Sequence, residues 1–256
     1  VTCASPFRWT SSARSDAGRV REINEDACLD LPEAGRWAVA DGMGGHAVGD
    51  LASRTVIEAL SRLAAPRSIR TLIADTRARL QGANRQLRDE AARRRVQRIG
   101  STVVVLLAYD RFCGYVWAGD SRIYLYRAGQ LRQLTHDHSH VEELRSLGVI
   151  TEEEARHHPA QHMITRAVGA TDLLELDDDA IEVADGDLFL LCSDGLSNEL
   201  SDADIAGVLT STERENVCGA LVELALARGG RDNITAVVVE AQDPNASEKT
   251  LLNPAP

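Results

Sequence analysis

Three apolar runs of this chain end in the same chemistry: Trp37-Ala-Val-Ala40 leads into Asp41-Gly42, Gly114-Tyr-Val-Trp-Ala118 into Gly119-Asp120, and Leu188-Phe-Leu-Leu-Cys192 into Ser193-Asp194-Gly195. Short β-rich runs bounded by turn residues are predicted strands, so the chain must fold in a way that presents carboxylates at strand ends. Thr102 to Tyr109, Ile123 to Tyr126 with the turn Ala128-Gly129-Gln130 behind it, and Ile234 to Glu240 read as further strands. The short spacing between several of them favours antiparallel hairpins.

Helical patterns separate the strand groups. Leu51 to Leu63 places Val56, Leu60 and Leu63 at helical spacing, and after Pro66 a second pattern runs from about Ile69 to Arg95. Its Arg93-Arg94-Arg95 run reads as a solvated helix face ahead of a docking patch. Asp202 to Leu209 and Glu215 to Ala227 are also predicted helices, the latter stopped by Gly229-Gly230. With 256 residues and 44% hydrophobic content, residues 1–242 suffice for one large domain, and residues 243–256, without periodicity, read as a disordered tail.

Thr135 to Ala170 differs in composition, holding six of the seven histidines: His136, His138, His140, His157, His158 and His162. The alternation of the first three invites a zinc site. No cysteine joins them, and helical patterns follow at Val141 to Leu147 and Thr151 to His157. A mobile surface flap over about 136–170 with solvated histidines is the preferred expectation.

The formal net charge of -11 argues against nucleic-acid binding, which needs a basic footprint. No apolar stretch approaches the roughly 18–20 residues of a membrane span, and Val1 to Ser12 lacks the apolar core of a secretory signal. The five cysteines are scattered, odd in number and without a C-x-x-C pair, so reduced thiols in the cytoplasm are expected.

Glycine and acid coincide most densely at Asp41-Gly-Met-Gly-Gly-His46. Gly42-x-Gly44-x-x-Ala47 matches a loose dinucleotide fingerprint, but no acidic residue follows at the end of a second parallel strand about 20 positions on, where ribose recognition needs one. For any one of Asp26, Asp41, Asp120, Asp194 and Asp232, a turn or cap residue is the simpler reading. Taken as a set they require more. Converging carboxylates repel, and are tolerated when protonated, paired with cationic side chains, or neutralised by a hard metal such as Mg²⁺ or Mn²⁺.

The order Arg21-Glu-Ile-Asn-Glu-Asp26, Asp41-Gly-Met-Gly-Gly-His46, Gly100-Ser-Thr102, Gly119-Asp-Ser-Arg122, Ser193-Asp-Gly195 and Arg231-Asp-Asn-Ile234 resembles the PPM family, the PP2C-type metal-dependent Ser/Thr phosphatases, in their compact bacterial form. The resemblance covers about Ser15 to Val239. It implies an α+β fold, an αββα sandwich of two packed antiparallel β-sheets flanked by helices, with a flap insertion and a metal cleft at one end.

Residue by residue, the resemblance implies that Asp41 bridges two Mn²⁺ or Mg²⁺ ions and that the Gly42 carbonyl binds one of them. Asp194 and Asp232 would complete the other ion, Glu25 and Asp26 would hold metal-bound waters, and Asp120 with Asp194 would take a third, weaker ion. Arg21 resembles the phosphate clamp, a role suited to a bidentate guanidinium, and His46 the acid that protonates the leaving alkoxide. Met43 stands directly after the Asp-Gly pair, where the eukaryotic branch carries a histidine.

The activity so implied is hydrolysis of phosphoserine and phosphothreonine by a metal-bridging hydroxide, without a covalent intermediate. No cysteine has an arginine six positions later, and the G-x-S-x-G elbow is absent. A catalytically silent binding module and another metal-dependent phosphoryl hydrolase, such as a nuclease, are the rival readings; the full acid set speaks against the first and the charge against the second. Expected partners are phosphorylated proteins, including a cognate bacterial Ser/Thr kinase, with control of type VI secretion as one instance. The chain is expected to be a monomer.

Overall fold

A computed structural model describes residues 6–44, 48–156, 158–160 and 163–246. In chain order the elements are β1 (Arg8–Asp16), β2 (Asp26–Leu31), β3 (Arg36–Met43), α1 (Gly49–Ser61), α2 (Ile69–Arg94), β4 (Gly100–Ser101), β5 (Val103–Tyr109), β6 (Phe112–Ala118), β7 (Arg122–Arg127) and β8 (Gln130–Gln133). They continue with α3 (His140–Ser146), α4 (Glu152–Arg156), β9 (Asp177–Glu182), β10 (Leu188–Cys192), α5 (Asp194–Ser197), α6 (Asp202–Ser211), α7 (Val217–Arg228) and β11 (Ile234–Gln242).

The strands form two antiparallel sheets, ordered β1-β11-β10-β7-β8 and β2-β3-β5-β6-β9, with β4 paired to β3. Successive side chains of a strand point to opposite faces, and the central strands use both. Along β5, Val104 and Leu106 pack between the sheets while Val103, Val105 and Leu107 face α1 and α2. Along β10, Phe189 and Leu191 enter the inter-sheet core while Leu188, Leu190 and Cys192 face α5, α6 and α7. Burial on both faces explains why these strands read as continuous apolar runs and not as alternating ones. The result is helices, sheet, sheet, helices, as the resemblance implied.

Local signals fix the helices. Ser68 accepts from the Thr71 N–H while the Thr71 hydroxyl accepts from the Ser68 N–H, a reciprocal cap at the start of α2. Leu72, Thr76, Leu80, Ala83, Leu87 and Ala91 then bury one helical stripe. Arg93 and Arg94 pair with Glu90 on the exposed face, and Arg95 caps the end in the left-handed conformation. The predicted flap segment runs between β8 and β9 and carries α3 and α4. Of the expected tail, Asp243 is held by Asp185 in a turn with Ala246; residues 247–256 lie outside the described residues.

Candidate active site

Antiparallel pairing brings the acid-bearing strand ends to one edge of the sandwich. Asp26 opens β2 directly opposite Asp41 near the end of β3. Asp194 follows β10, Asp232 precedes β11, and Asp120 follows β6. Because β10 and β11 are antiparallel, the end of one and the start of the other coincide, as do the end of β6 and the start of β5. Arg21, Glu25, Asp41, Gly42, Met43, Gly44, Asp232 and Asn233 line a cleft of about 320 Å³ there.

Close backbone approach shapes the floor of this cleft. The Gly42 N–H donates to the Glu25 carbonyl at 3.1 Å, and a Cβ at Gly42 would lie 2.0 Å from the Gly49 carbonyl oxygen. A Cβ at Gly49, the first residue of α1, would lie 2.2 Å from Glu25 Oε1. A larger residue at Gly42 would push β3 away from the Gly49 and Glu25 carbonyls, and one at Gly49 would displace the Glu25 carboxyl.

The carboxyl groups are poorly compensated. Asp26 Oδ2 accepts from the Ser193 and Thr235 hydroxyls at 2.8 and 2.7 Å, but Asp26 Oδ1 and Glu25 Oε1 are buried without any hydrogen-bond partner. Burial pushes the Asp26 carboxyl up to about 7; those hydroxyls oppose the rise, and Asp194 and Asp232 add to it. Asp41 is held well above the ordinary carboxylate range by burial and then by Asp26, Asp194, Asp120 and Asp232. Burial, Asp194 and Asp137 push Asp120 up to about 8, against the nearby Arg122. Orphaned buried oxygens and mutual repulsion are what a hard cation would satisfy. The residues present fit divalent metal ions.

Arg21 reaches the same cleft, where its Nη2 donates to Asp232 Oδ2 at 2.7 Å. That pairing is the main reason its guanidinium is held above its ordinary value, with Glu25 and Asp41 contributing. Asp194 Oδ2 accepts from Asn198 Nδ2 at 3.1 Å. The structure therefore brings Arg21, Glu25, Asp26, Asp41, Gly42 and Asp232 together, with Asp120 and Asp194 close enough to raise the Asp41 carboxyl. His46, expected as a proton donor, lies outside the described residues.

Three residues that the sequence reading assigned no role hold this arrangement. Asn233 Oδ1 accepts from the Glu25 N–H at 2.8 Å, and its Nδ2 donates to the Ala17 and Ile23 carbonyls, pinning the loop that carries Arg21. Thr102 Oγ1 accepts from the Asp41 N–H at 3.1 Å and shares a 2.7 Å hydrogen bond with Ser121 Oγ. Their signal in the sequence is membership of the motifs Gly100-Ser-Thr102, Gly119-Asp-Ser-Arg122 and Arg231-Asp-Asn-Ile234, which carries no indication of these hydrogen bonds. The expectation of solvated flap histidines needs correction as well: His136 is exposed, but His138 is only 4% exposed, packed against Trp117.

Comparison with known proteins agrees with this geometry. The family model described as protein phosphatase 2C matches residues 17–220. The chain is 40% identical over 233 residues to the serine/threonine protein phosphatase PstP of Mycobacterium tuberculosis, a match covering 91% of this chain and 45% of that protein. It thus spans about half the length of that relative. Its fold is similar to that of PppA, a key regulatory component of T6SS in Pseudomonas aeruginosa, with a TM-score of 0.85 and 44% identity over 91% of this chain and 97% of the other. It is also similar to the catalytic domain of PstP in complex with 2 manganese ions, with a TM-score of 0.84, 37% identity, and coverage of 93% and 100%.

Proposed function

The chain belongs to the protein phosphatase 2C family, and on that premise we propose that it is a metal-dependent protein phosphatase hydrolysing phosphoserine and phosphothreonine. The observation that carries the reading is the convergence of carboxylates at one end of the sandwich, with Glu25 Oε1 and Asp26 Oδ1 buried and unpartnered.

Asp41, the Gly42 carbonyl, Asp194 and Asp232 would hold two ions, with Glu25 and Asp26 holding their waters and Asp120 a third, weaker one. Bound Mn²⁺ or Mg²⁺ would supply an acidified water and screen charge on the phosphoryl oxygens. Arg21 binds and orients the phosphate; its guanidinium must exchange the Asp232 carboxylate for phosphoryl oxygens, both of which suit its planar fork. Asn233 keeps Arg21 in reach by fixing the 17–24 loop. His46, by resemblance, gives a proton to the departing serine or threonine oxygen.

The substrates we propose are phosphorylated proteins of a bacterium, among them a Ser/Thr kinase, acted on by a monomer in the cytoplasm. The likeness to PppA supports a place in T6SS control. Release of phosphate from a phosphothreonine peptide with Mn²⁺, abolished by EDTA and restored by added Mn²⁺, tests the activity. Undiminished hydrolysis in EDTA would refute it. A phosphoproteome compared with and without the gene tests the kinase assignment, which fails if no kinase phosphosite changes.

A further inference from the structure

A second titratable cluster lies at the root of the 136–170 segment. His136 Nε2 and His138 Nε2 are 3.1 and 3.3 Å from Asp177 Oδ2, and their ligand atoms all lie within 4.8 Å of one another. Spacing alone would fit a transition metal. The hydrogen bonding argues otherwise. The Gly119 N–H donates to His138 Nδ1 at 3.2 Å, so a neutral His138 carries its proton on Nε2, pointed at Asp177, with no lone pair there for a metal. Burial, followed by the nearby Arg166, lowers the His138 imidazole below its ordinary value, which keeps it neutral near pH 7. Arg166 Nη1 lies 3.4 Å from that same Nε2 and donates to Asp177 Oδ1 at 2.9 Å. A guanidinium already supplies the cluster's positive charge.

What His138 does hold is the turn carrying Asp120. Its backbone N–H donates to the Gly119 carbonyl at 2.9 Å while its ring accepts from the Gly119 N–H, so Gly119 is gripped at both polar groups. The His138 carbonyl accepts from the Thr165 N–H at 2.7 Å, at the far end of the flap segment. Its ring is stacked on Trp117 at an interplanar angle of 13°. On the other side of Asp120, Ser121 is tied through Thr102 to the Asp41 N–H. Gly119 has a φ of +109°, and a Cβ there would lie 2.7 Å from Thr102 Cβ, so the turn has little freedom to settle elsewhere.

We infer that His138 is a positioning residue that holds the Gly119–Asp120 turn to the root of the flap, so that the flap's placement governs how well Asp120 binds the weaker cation. The inference rests on the proposed role of Asp120 as ligand of that ion, and the test separates the two.

The test is a Mn²⁺ titration of kcat with p-nitrophenyl phosphate, using the full chain. Wild type and Asp120→Ala set the scale: the component that saturates at high Mn²⁺ is present in the first and absent from the second. If the two titrate alike, the reading of Asp120 fails, and this inference with it. His138→Phe keeps the ring against Trp117 and removes both nitrogens; the Mn²⁺ midpoint of the weak component should rise about tenfold, the scale of one lost hydrogen bond. KM and the stoichiometry of tightly bound ions should not change. His138→Asn, whose Oδ1 can stand in for Nδ1, should restore the midpoint. His138→Gln, whose amide reaches toward Asp177 but leaves the Gly119 N–H unpaired, should not. A purely structural histidine would lower Tm and leave every midpoint in place, which overturns the inference. Should the Phe variant fail to fold, equal midpoints for the Asn and Gln variants overturn it, and the predicted difference between them supports it.

Discussion

Asp177 at the flap root and Asp41 at the carboxylate end are the same residue type under opposite electrical conditions. Asp177 is about a third exposed and accepts from Arg166 and His138; desolvation pushes its carboxyl up, but those two partners outweigh it and hold the group below its ordinary value. Asp41 is buried and surrounded by Asp26, Asp194, Asp120 and Asp232; burial first and these neighbours after it drive its carboxyl far the other way. The first cluster contains its own cation and is electrically complete. The second sets one arginine, Arg21 on Asp232, against several mutually repelling carboxylates, and its buried orphan oxygens mark where further positive charge must come from outside. Proximity of His, Asp and Glu alone therefore does not identify a metal site; the balance of carboxylates against internal cations separates the two clusters.

Asp41→Asn breaks the contrast at its strongest point. It removes the carboxylate proposed to bridge two ions, so turnover on a phosphopeptide should fall by more than about a hundredfold, above the range for residues that only orient ligands. The same substitution relieves repulsion in the metal-free state, so in EDTA the variant should melt at or above the wild-type Tm, while Mn²⁺ should raise Tm in the wild type far more than in the variant. A metal-free variant that melts well below wild type would show that Asp41 is compensated after all.

Arg21→Ala is the next largest. Loss of a charged hydrogen bond to phosphate, worth about 1.5–3 kcal/mol, should lower kcat/KM by roughly ten- to a hundredfold. It should also remove the one arginine donating to Asp232 among the described contacts, so Mn²⁺ affinity should hold or rise. Unchanged kinetics on a phosphothreonine peptide would exclude Arg21 as the clamp.

The raised carboxyls give a pH dependence of definite sign. Asp26 and Asp120 rise from an ordinary 3.8 to about 7 and about 8 in the fold. Each binds its proton more tightly folded than unfolded, so its contribution to stability is complete below about 4 and is lost as pH rises through the folded values. Metal-free protein should lose Tm between pH 4 and 8 as these carboxyls ionise. Saturating Mn²⁺, which binds the ionised form, should flatten or reverse the slope. A metal-free Tm that climbs across this window would contradict the repulsion.

The central strands and the acids were legible for one physical reason. β3, β5, β6, β10 and β11 are covered on both faces, so they appear as apolar runs, and the neighbouring Asp and Gly residues that end three of them, Asp41-Gly42, Gly119-Asp120 and Asp194-Gly195, mark the site. Apart from the two-residue β4, the strands without a sequence signal, β1, β2, β8 and β9, are the four edges of the two sheets. An edge strand needs less apolar character and is often charged: β1 reads Arg-Trp-Thr-Ser-Ser-Ala-Arg-Ser-Asp and β9 begins with three aspartates. Their identity comes from pairing, as in the unbroken register of Arg8 to Asp16 along β11, and not from local pattern. The burial of His138 is hidden for a related reason, since its key partner Gly119 lies 19 residues away and the His-x-His pattern does not distinguish buried His138 from exposed His136.

Asp177→Asn should give the smallest effect and the opposite sign. The substitution keeps shape and an acceptor oxygen but cancels the charge that Arg166 Nη1 meets at 2.9 Å. Arg166 and Asp177 side chains are each 33% exposed, so solvent screens the pair and the loss should be about 1 kcal/mol or less. Because the folded group is held below its ordinary value, its contribution is present above the carboxylate range and fades as pH falls through it. Wild type should therefore be slightly more stable than Asp177→Asn at pH 7, and the two should converge in acid. In EDTA this destabilisation should stand against the neutral or stabilising effect of Asp41→Asn, measured by the same thermal melts. If both substitutions shift Tm in the same direction, the distinction between a cluster whose carboxylate is paired and one whose carboxylates are in excess does not hold.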